Sequence, residues 1–251
     1  LIDGLLFSRH IPYSQCKELV EKLEGLSNIY FRARVRHIAK MPEDRTDNKQ
    51  LFLNIELLDE AISRRRKVSF HYLEYGTDKQ MHRKTRPDGS VREYVISPYQ
   101  MAAREGKYYL ICNYDTYDDI SNYRVDRIAD IKILDEPAKP FGKLKWANSR
   151  MLDLAEYMKE HPYMYSSGTV RVKFRIVRAM ISDVIDVFGS GVRFSDEDEE
   201  GVTVSTTTNE LAAEQFAKSF APDVVVLEPK RLREKVEDNL RKSLSAYEHF
   251  S

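Results

Sequence analysis

Cysteine is scarce in this chain: Cys16 and Cys112 are the only two in 251 residues, and they lie far apart. That excludes a disulfide framework and a thiolate metal site, and it fits two small buried hydrophobes in a reducing compartment. Net charge is absent too. Forty Lys and Arg balance forty Asp and Glu, so the total points to no charged partner. No apolar run approaches the ~20 residues that span a bilayer, and no signal peptide opens the chain. A cytoplasmic protein with no membrane partner is expected. The first residue is Leu1 rather than Met, and the expectation is that a segment upstream has been cut off.

Enzyme signatures are missing as well. His10, His37, His71, His82, His161 and His249 stand at no metal-ligand spacing with another His, Cys or carboxylate. There is no Gly-rich phosphate loop, no G-x-S-x-G elbow and no Cys/His pair suggestive of a nucleophile. A non-enzymatic protein with no cofactor and no metal is therefore expected. The acidic run at 196–200 reads as a solvated hairpin loop rather than a cation site.

What is present suits two compact domains: 42% hydrophobic and 32% charged residues, enough for ordinary cores under a solvated surface. The charges are unevenly placed. Residues 61–110 hold eleven basic and five acidic side chains, and residues 179–215 hold one basic and nine acidic. These are either two solvated faces or an anion-binding domain followed by one with another task.

The expected class is α+β, in four parts. Residues 1–60 read as a helical linker. Ser14 caps a helix carrying Cys16, Leu19, Val20 and Leu23 on one face, and Gly25 ends it. A polar loop at 40–48 follows, and a second helix aligns Leu51, Ile55, Leu58 and Ile62. Strands come next. Val68, Phe70 and Tyr72 alternate with Ser69 and His71. Pro87-Asp88-Gly89 and Glu105-Gly106 mark turns between β-prone runs, with Pro98 separating two of them. Short strands at 123–125 and 130–134 complete a set that predicts a small antiparallel barrel over 61–141. Residues 142–168 read as a connecting helix, from 149, and a loop. Over 169–251 the order βαββαβ, with a last helix through Leu232, Val236, Leu240 and Leu244, predicts a ferredoxin-like domain.

The strand region mixes arginine with tyrosine. Arginine offers a fork of donors for phosphate or carboxylate, and tyrosine a flat face and a hydroxyl. Together they suit a nucleotide or a single-stranded nucleic acid. The same residues also fit a barrel core whose hydroxyls reach the surface beside solvated arginines.

Order along the chain adds a resemblance. Phe70-His71-Tyr72, Ile96-Ser97-Pro98-Tyr99, Tyr108-Tyr109-Leu110 and Tyr123-Arg124-Val125-Asp126-Arg127-Ile128 follow one another as the blocks of a WYL domain do, over about 61–141. Tyr108 stands where the family usually has Trp. The tail from 169 resembles the C-terminal extension that often follows a WYL domain, by order of elements alone. The resemblance implies an Sm-like (SH3-like) barrel that senses a ligand within a bacterial transcriptional regulator. The implied partners are single-stranded nucleic acid or a nucleotide in the barrel, promoter DNA through a helix-turn-helix missing from this chain, and a second copy in a homodimer. A nucleic-acid-binding accessory of a defence system is the alternative. The residues carried over as ligand-binding are His71, Arg104, Tyr109, Tyr123, Arg124 and Arg127. Arg124 and Arg127 lead as anion contacts, with the alternative that one of them clips Asp126. Tyr109 and Tyr123 are the stacking faces. Tyr108 and Tyr109 point to opposite faces of one strand, so one of them belongs to the core.

Overall fold

The computed structural model describes residues 5, 11, 13–26, 50–144 and 152–249. The chain divides into two compact units, Leu1–Met151 and Leu152–Ser251. Both carry antiparallel sheets, and the class is α+β. Among the described residues no helix is long and apolar enough to cross a membrane.

In the N-terminal unit, α1 (Tyr13–Gly25) buries Cys16 and Val20 beside Ile11. The polar loop expected at 40–48 lies outside the described residues. Helix α2 (Leu51–Ser63) turns Leu51, Asn54, Leu58 and Ala61 inward. That is an apolar stripe at helical spacing with one amide in it. The strands are β1 (Arg66–Tyr75), β2 (Met81–Arg83), β3 (Glu93–Arg104), β4 (Lys107–Tyr114), β5 (Ile120–Arg124) and β6 (Ile128–Pro137). The ladder runs β2-β1-β3-β4-β5, and β6 pairs with β1. Among the described residues no ladder joins β5 to β6. A short 3₁₀ turn, Val125–Arg127, carries the chain between them.

Two turn signals act as expected from their chemistry. Glu105 and Gly106 both have positive φ, 50° and 69°, the backbone of a tight hairpin with the twist of its strands. At the Pro87-Asp88-Gly89 turn, Asp88 accepts from the Ser90 amide at 2.9 Å. Pro98 behaves differently from the sequence reading. It does not separate two strands but lies inside β3, where the register against β4 shifts between Pro98 and Gln100. The extra residue of that bulge spares the ladder an amide that proline lacks. Val68, Phe70, Ile96, Leu110 and Ile128 fill the core beneath Leu58 of α2.

The C-terminal unit comprises α3 (Leu154–Glu160), β7 (Thr169–Ile176), α4 (Ile181–Phe188), β8 (Arg193–Ser195), β9 (Val202–Asn209), α5 (Glu210–Ser219), β10 (Val224–Glu228) and α6 (Lys230–His249). Asp153 caps α3 by accepting from the Glu156 amide at 3.0 Å; the connecting helix expected from 149 lies outside the described residues before 152. The sheet order is β10-β7-β9-β8, antiparallel throughout. Along β7, Val172, Phe174 and Ile176 are buried while Arg171, Lys173 and Arg175 face out, the period-two alternation of a sheet covered on one side. Phe216 of α5 meets Phe174, Phe188 and Phe220 with ring centres 6.0, 4.9 and 4.9 Å away. Gly201 is required by a close approach: a Cβ there would stand 2.1 Å from the Ile176 carbonyl oxygen. The acidic run before it is tied down by Arg175, whose guanidinium pairs with Asp198. Among the described residues no group of His, Cys, Asp and Glu is arranged to hold a metal ion.

Candidate functional site

The 3₁₀ turn gathers most of the chemistry. Arg124 grips Asp126 with two bonds, Nε to Oδ1 at 3.0 Å and Nη2 to Oδ2 at 2.6 Å. The Asp126 side chain is 1% exposed and that of Arg124 23%. Burial works against the Arg124 charge, but the Asp126 carboxylate outweighs it, so the guanidinium is held charged more firmly than usual. Of the two roles open to the arginines, Arg124 takes the clip. Its backbone N–H donates to the Tyr72 hydroxyl at 3.2 Å, and it faces Tyr109 across the β4–β5 ladder.

Arg127 is arranged otherwise. Its guanidinium carbon lies 5.7 Å from the centre of the Tyr75 ring, within cation–π range. Its Nε is buried and has no hydrogen-bond partner. An unmet buried donor costs about 1–3 kcal/mol, so this one is a standing demand for an acceptor. Burial raises the Tyr72 and Tyr109 phenol pKa values above the ordinary range, and the charges of Arg124 and Arg127 pull both back. Two guanidiniums and two phenols thus act on one another at the end of the sheet.

The turn is held from below by an amide. Asn54, 1% exposed in the middle of α2, donates from Nδ2 to the carbonyls of Ile128 at 2.8 Å and Val125 at 3.5 Å. The sequence reading passed over Asn54, and it counted Tyr72 and Tyr75 among the strand tyrosines without carrying them over as ligand-binding. Asn54 had a signal, since it is one polar residue on the apolar stripe of α2.

His71, Arg83 and Asp130 form a second group. His71 Nδ1 lies 2.9 Å from Asp130 Oδ2, and Arg83 Nε donates to the same oxygen at 2.9 Å. These two partners hold the Asp130 carboxyl below its usual range. Asp130 itself sits at φ 54°, a left-handed conformation that aspartate tolerates better than most residues.

Tyr123 belongs to the core rather than to the turn. Its ring makes edge contacts with Phe70, Tyr72 and Tyr94 at 5.4, 5.2 and 5.5 Å, because it stands opposite buried Leu110 in the ladder. Burial moves its phenol strongly upward. Tyr108 packs on the same core, so Tyr109 is the member of that pair on the other face. Arg104 ends β3 opposite Lys107 at the tight hairpin, with its Nε buried.

Residues 54–133 match the WYL domain and residues 168–244 match the WCX domain. No curated protein matches the chain. Among solved structures, the proteasome accessory factor B/C (PafBC) of Arthrobacter aurescens is similar at 14% identity and a TM-score of 0.34, over 79% of this chain and 28% of that one. A CRISPR Cas-related protein is similar at 14% identity and a TM-score of 0.45, over 79% of this chain and 53% of that one. The chain therefore spans about half or less of the length of these two.

Proposed function

The chain carries a WYL domain followed by a WCX domain, and from that premise we propose that it is the ligand-sensing and dimerising part of a bacterial transcriptional regulator. Its ligand is an anion of the nucleotide or single-stranded nucleic acid class, bound at the 3₁₀ turn. The observation that carries this reading is the buried Arg127 Nε with no acceptor, set over Tyr75 and beside the Tyr72 and Tyr109 phenols. A phosphate oxygen would meet that demand, and Tyr109 would offer the stacking face. Arg124 serves as the support that shapes the turn. DNA affinity would change as the ligand shifts the protein between two states.

The finer fold readings belong to the same proposal. The strand order β10-β7-β9-β8 supports a ferredoxin-like sandwich. The ladder β6-β1-β3-β4-β5 with its turn supports an Sm-like roll. A homodimer is supported by a groove of about 570 Å³ between β10 and α6, lined by Val225, Val236, Leu240 and Leu244. Strand β10 is an edge of its sheet, and edges with apolar surface invite pairing.

The deciding experiment is a fluorescence anisotropy titration of the purified chain with a labelled single-stranded oligonucleotide at several salt concentrations. Binding that weakens with salt, and that Arg127→Ala weakens, upholds the reading. Equal binding by parent and variant overturns the site.

A further inference from the structure

The C-terminal unit contains a second concavity, of about 340 Å³, between α3 and the outward face of the sheet. Arg171 of β7 and Arg193 of β8 reach it from the sheet, and Ser205 and Thr207 of β9 lie between them in the ladder. Lys159 enters from α3, with its Nζ against Gly191 so closely that a Cβ there would stand 2.8 Å from it. Glu156 and Glu160 line the same rim, one helical turn apart, where like charges repel.

The charges are unspent. Among the described residues, the side chains of Arg171, Arg193 and Lys159 make no ion pair, whereas their sheet neighbours Lys173 and Arg175 are paired with Glu228 and Asp198. Among the described residues, Glu156 and Glu160 have no cation within salt-bridge distance either. Glu160 is pushed above its ordinary pKa by burial and by Glu156, with Lys159 only partly opposing, so a donor arriving beside it would be favoured. The guanidiniums of Arg171 and Arg193 stand on the sheet wall of the cavity, and Lys159, Glu156 and Glu160 on the helix wall.

We propose that this pocket is a second binding site, for a small hydrophilic oxyanion. Its phosphate or carboxylate head is held by Arg171, Arg193 and the β9 hydroxyls, and a body bearing hydroxyls or an amine faces Glu156 and Glu160. Forked guanidinium donors match such a head in both geometry and charge. The lining contains no aromatic and no large aliphatic side chain, which excludes recognition by base stacking or by apolar burial. The ligand class therefore differs from that proposed for the turn in the N-terminal unit. Both arginines are exposed, so the affinity is modest.

The test is isothermal titration calorimetry of the full chain with ribose 5-phosphate, L-serine and inorganic phosphate. Ribose 5-phosphate supplies a phosphate head with hydroxyls, and L-serine a carboxylate head with an amine. At least one of the two is expected to bind more tightly than inorganic phosphate, and the tighter one identifies the head group. Arg171→Ala and Arg193→Ala should each weaken that binding roughly tenfold, the loss of a charge-assisted hydrogen bond, with an unchanged circular dichroism spectrum and Tm. Lys173→Ala, which removes a paired neighbour, should leave it unchanged. No heat from either organic probe, or equal affinity in the parent and both arginine variants, overturns the proposal.

Discussion

Arg124 and Asp126, two residues apart, form a bidentate ion pair whose carboxylate is sealed from water. Removing one member of a buried pair strands the other and costs about 3–5 kcal/mol. Arg124→Ala should therefore lower the urea midpoint of the N-terminal unit sharply. A double variant, Arg124→Leu with Asp126→Leu, should lose less than the sum of the two single changes. Strict additivity in that cycle would show that the pair does not act as a unit.

Arg127 stands in contrast, paired with no carboxylate among the described residues. Arg127→Ala should leave the denaturation curve within about 1 kcal/mol of the parent, because it deletes a buried donor that has no partner. Oligonucleotide affinity should fall about tenfold, and the slope of log affinity against log salt should shrink by about 0.7, one phosphate contact on a single strand. An unchanged slope would remove Arg127 from the list of phosphate contacts.

Asn54→Ala should affect both properties at once. It deletes the amide that donates to Ile128 and Val125, at about 0.5–1.5 kcal/mol per hydrogen bond. The turn loses its support, so affinity should fall even though Asn54 lies in the core. Chemical denaturation and anisotropy on the same preparation read the two effects, and a stability loss with full affinity would show that the turn holds its shape without α2.

Asp130 sets a dependence on acid. Its carboxyl is held below the ordinary value of 3.8 by His71 and Arg83. A depressed carboxylate stabilises the fold fully above its unfolded value, and the contribution fades as the pH falls through the lowered one. The parent should thus exceed Asp130→Asn in urea stability near pH 7. The gap should begin to close below about 3.8, as the unfolded chain takes up its proton first. A gap that stays constant into strong acid would mean that the carboxylate is not what His71 and Arg83 stabilise.

Leu244 lies on the outer half of α6, 63% exposed, in the groove proposed as the homodimer contact. Leu244→Glu should leave the monomer fold intact and shift the mass measured by multi-angle light scattering from dimer to monomer. Identical masses for parent and variant would place any dimer contact elsewhere.

Much of this was legible beforehand, and the reasons differ by element. The helix at 51–63 and the strand through Val68, Phe70 and Tyr72 follow from spacing alone, since their inward residues recur at 3.6 and at 2. Glu105-Gly106 gave its turn because two positive φ angles are needed there. Pro98 misled, because a bulge inside a strand looks the same in sequence as a break between two. At the site, Arg124 and Arg127 are equivalent as letters. Only the burial of Asp126 separates a clip from an unmet donor, and burial is a property of the assembled sheet. Tyr109 and Tyr123 likewise divide by ladder register, Tyr109 across from Arg124 and Tyr123 across from Leu110. Asn54 was legible in principle, as an amide on an apolar stripe, but its partners lie more than seventy residues away.

The Asn54 amide has a mechanical meaning. It bolts a helix to both ends of the turn, gripping a carbonyl before Arg127 and one after it. The turn then has two ways to yield when something docks on it: it drags α2 along, or it shears the bolt. The first converts an event a few ångströms wide into the displacement of a lever thirteen residues long; the second releases that lever.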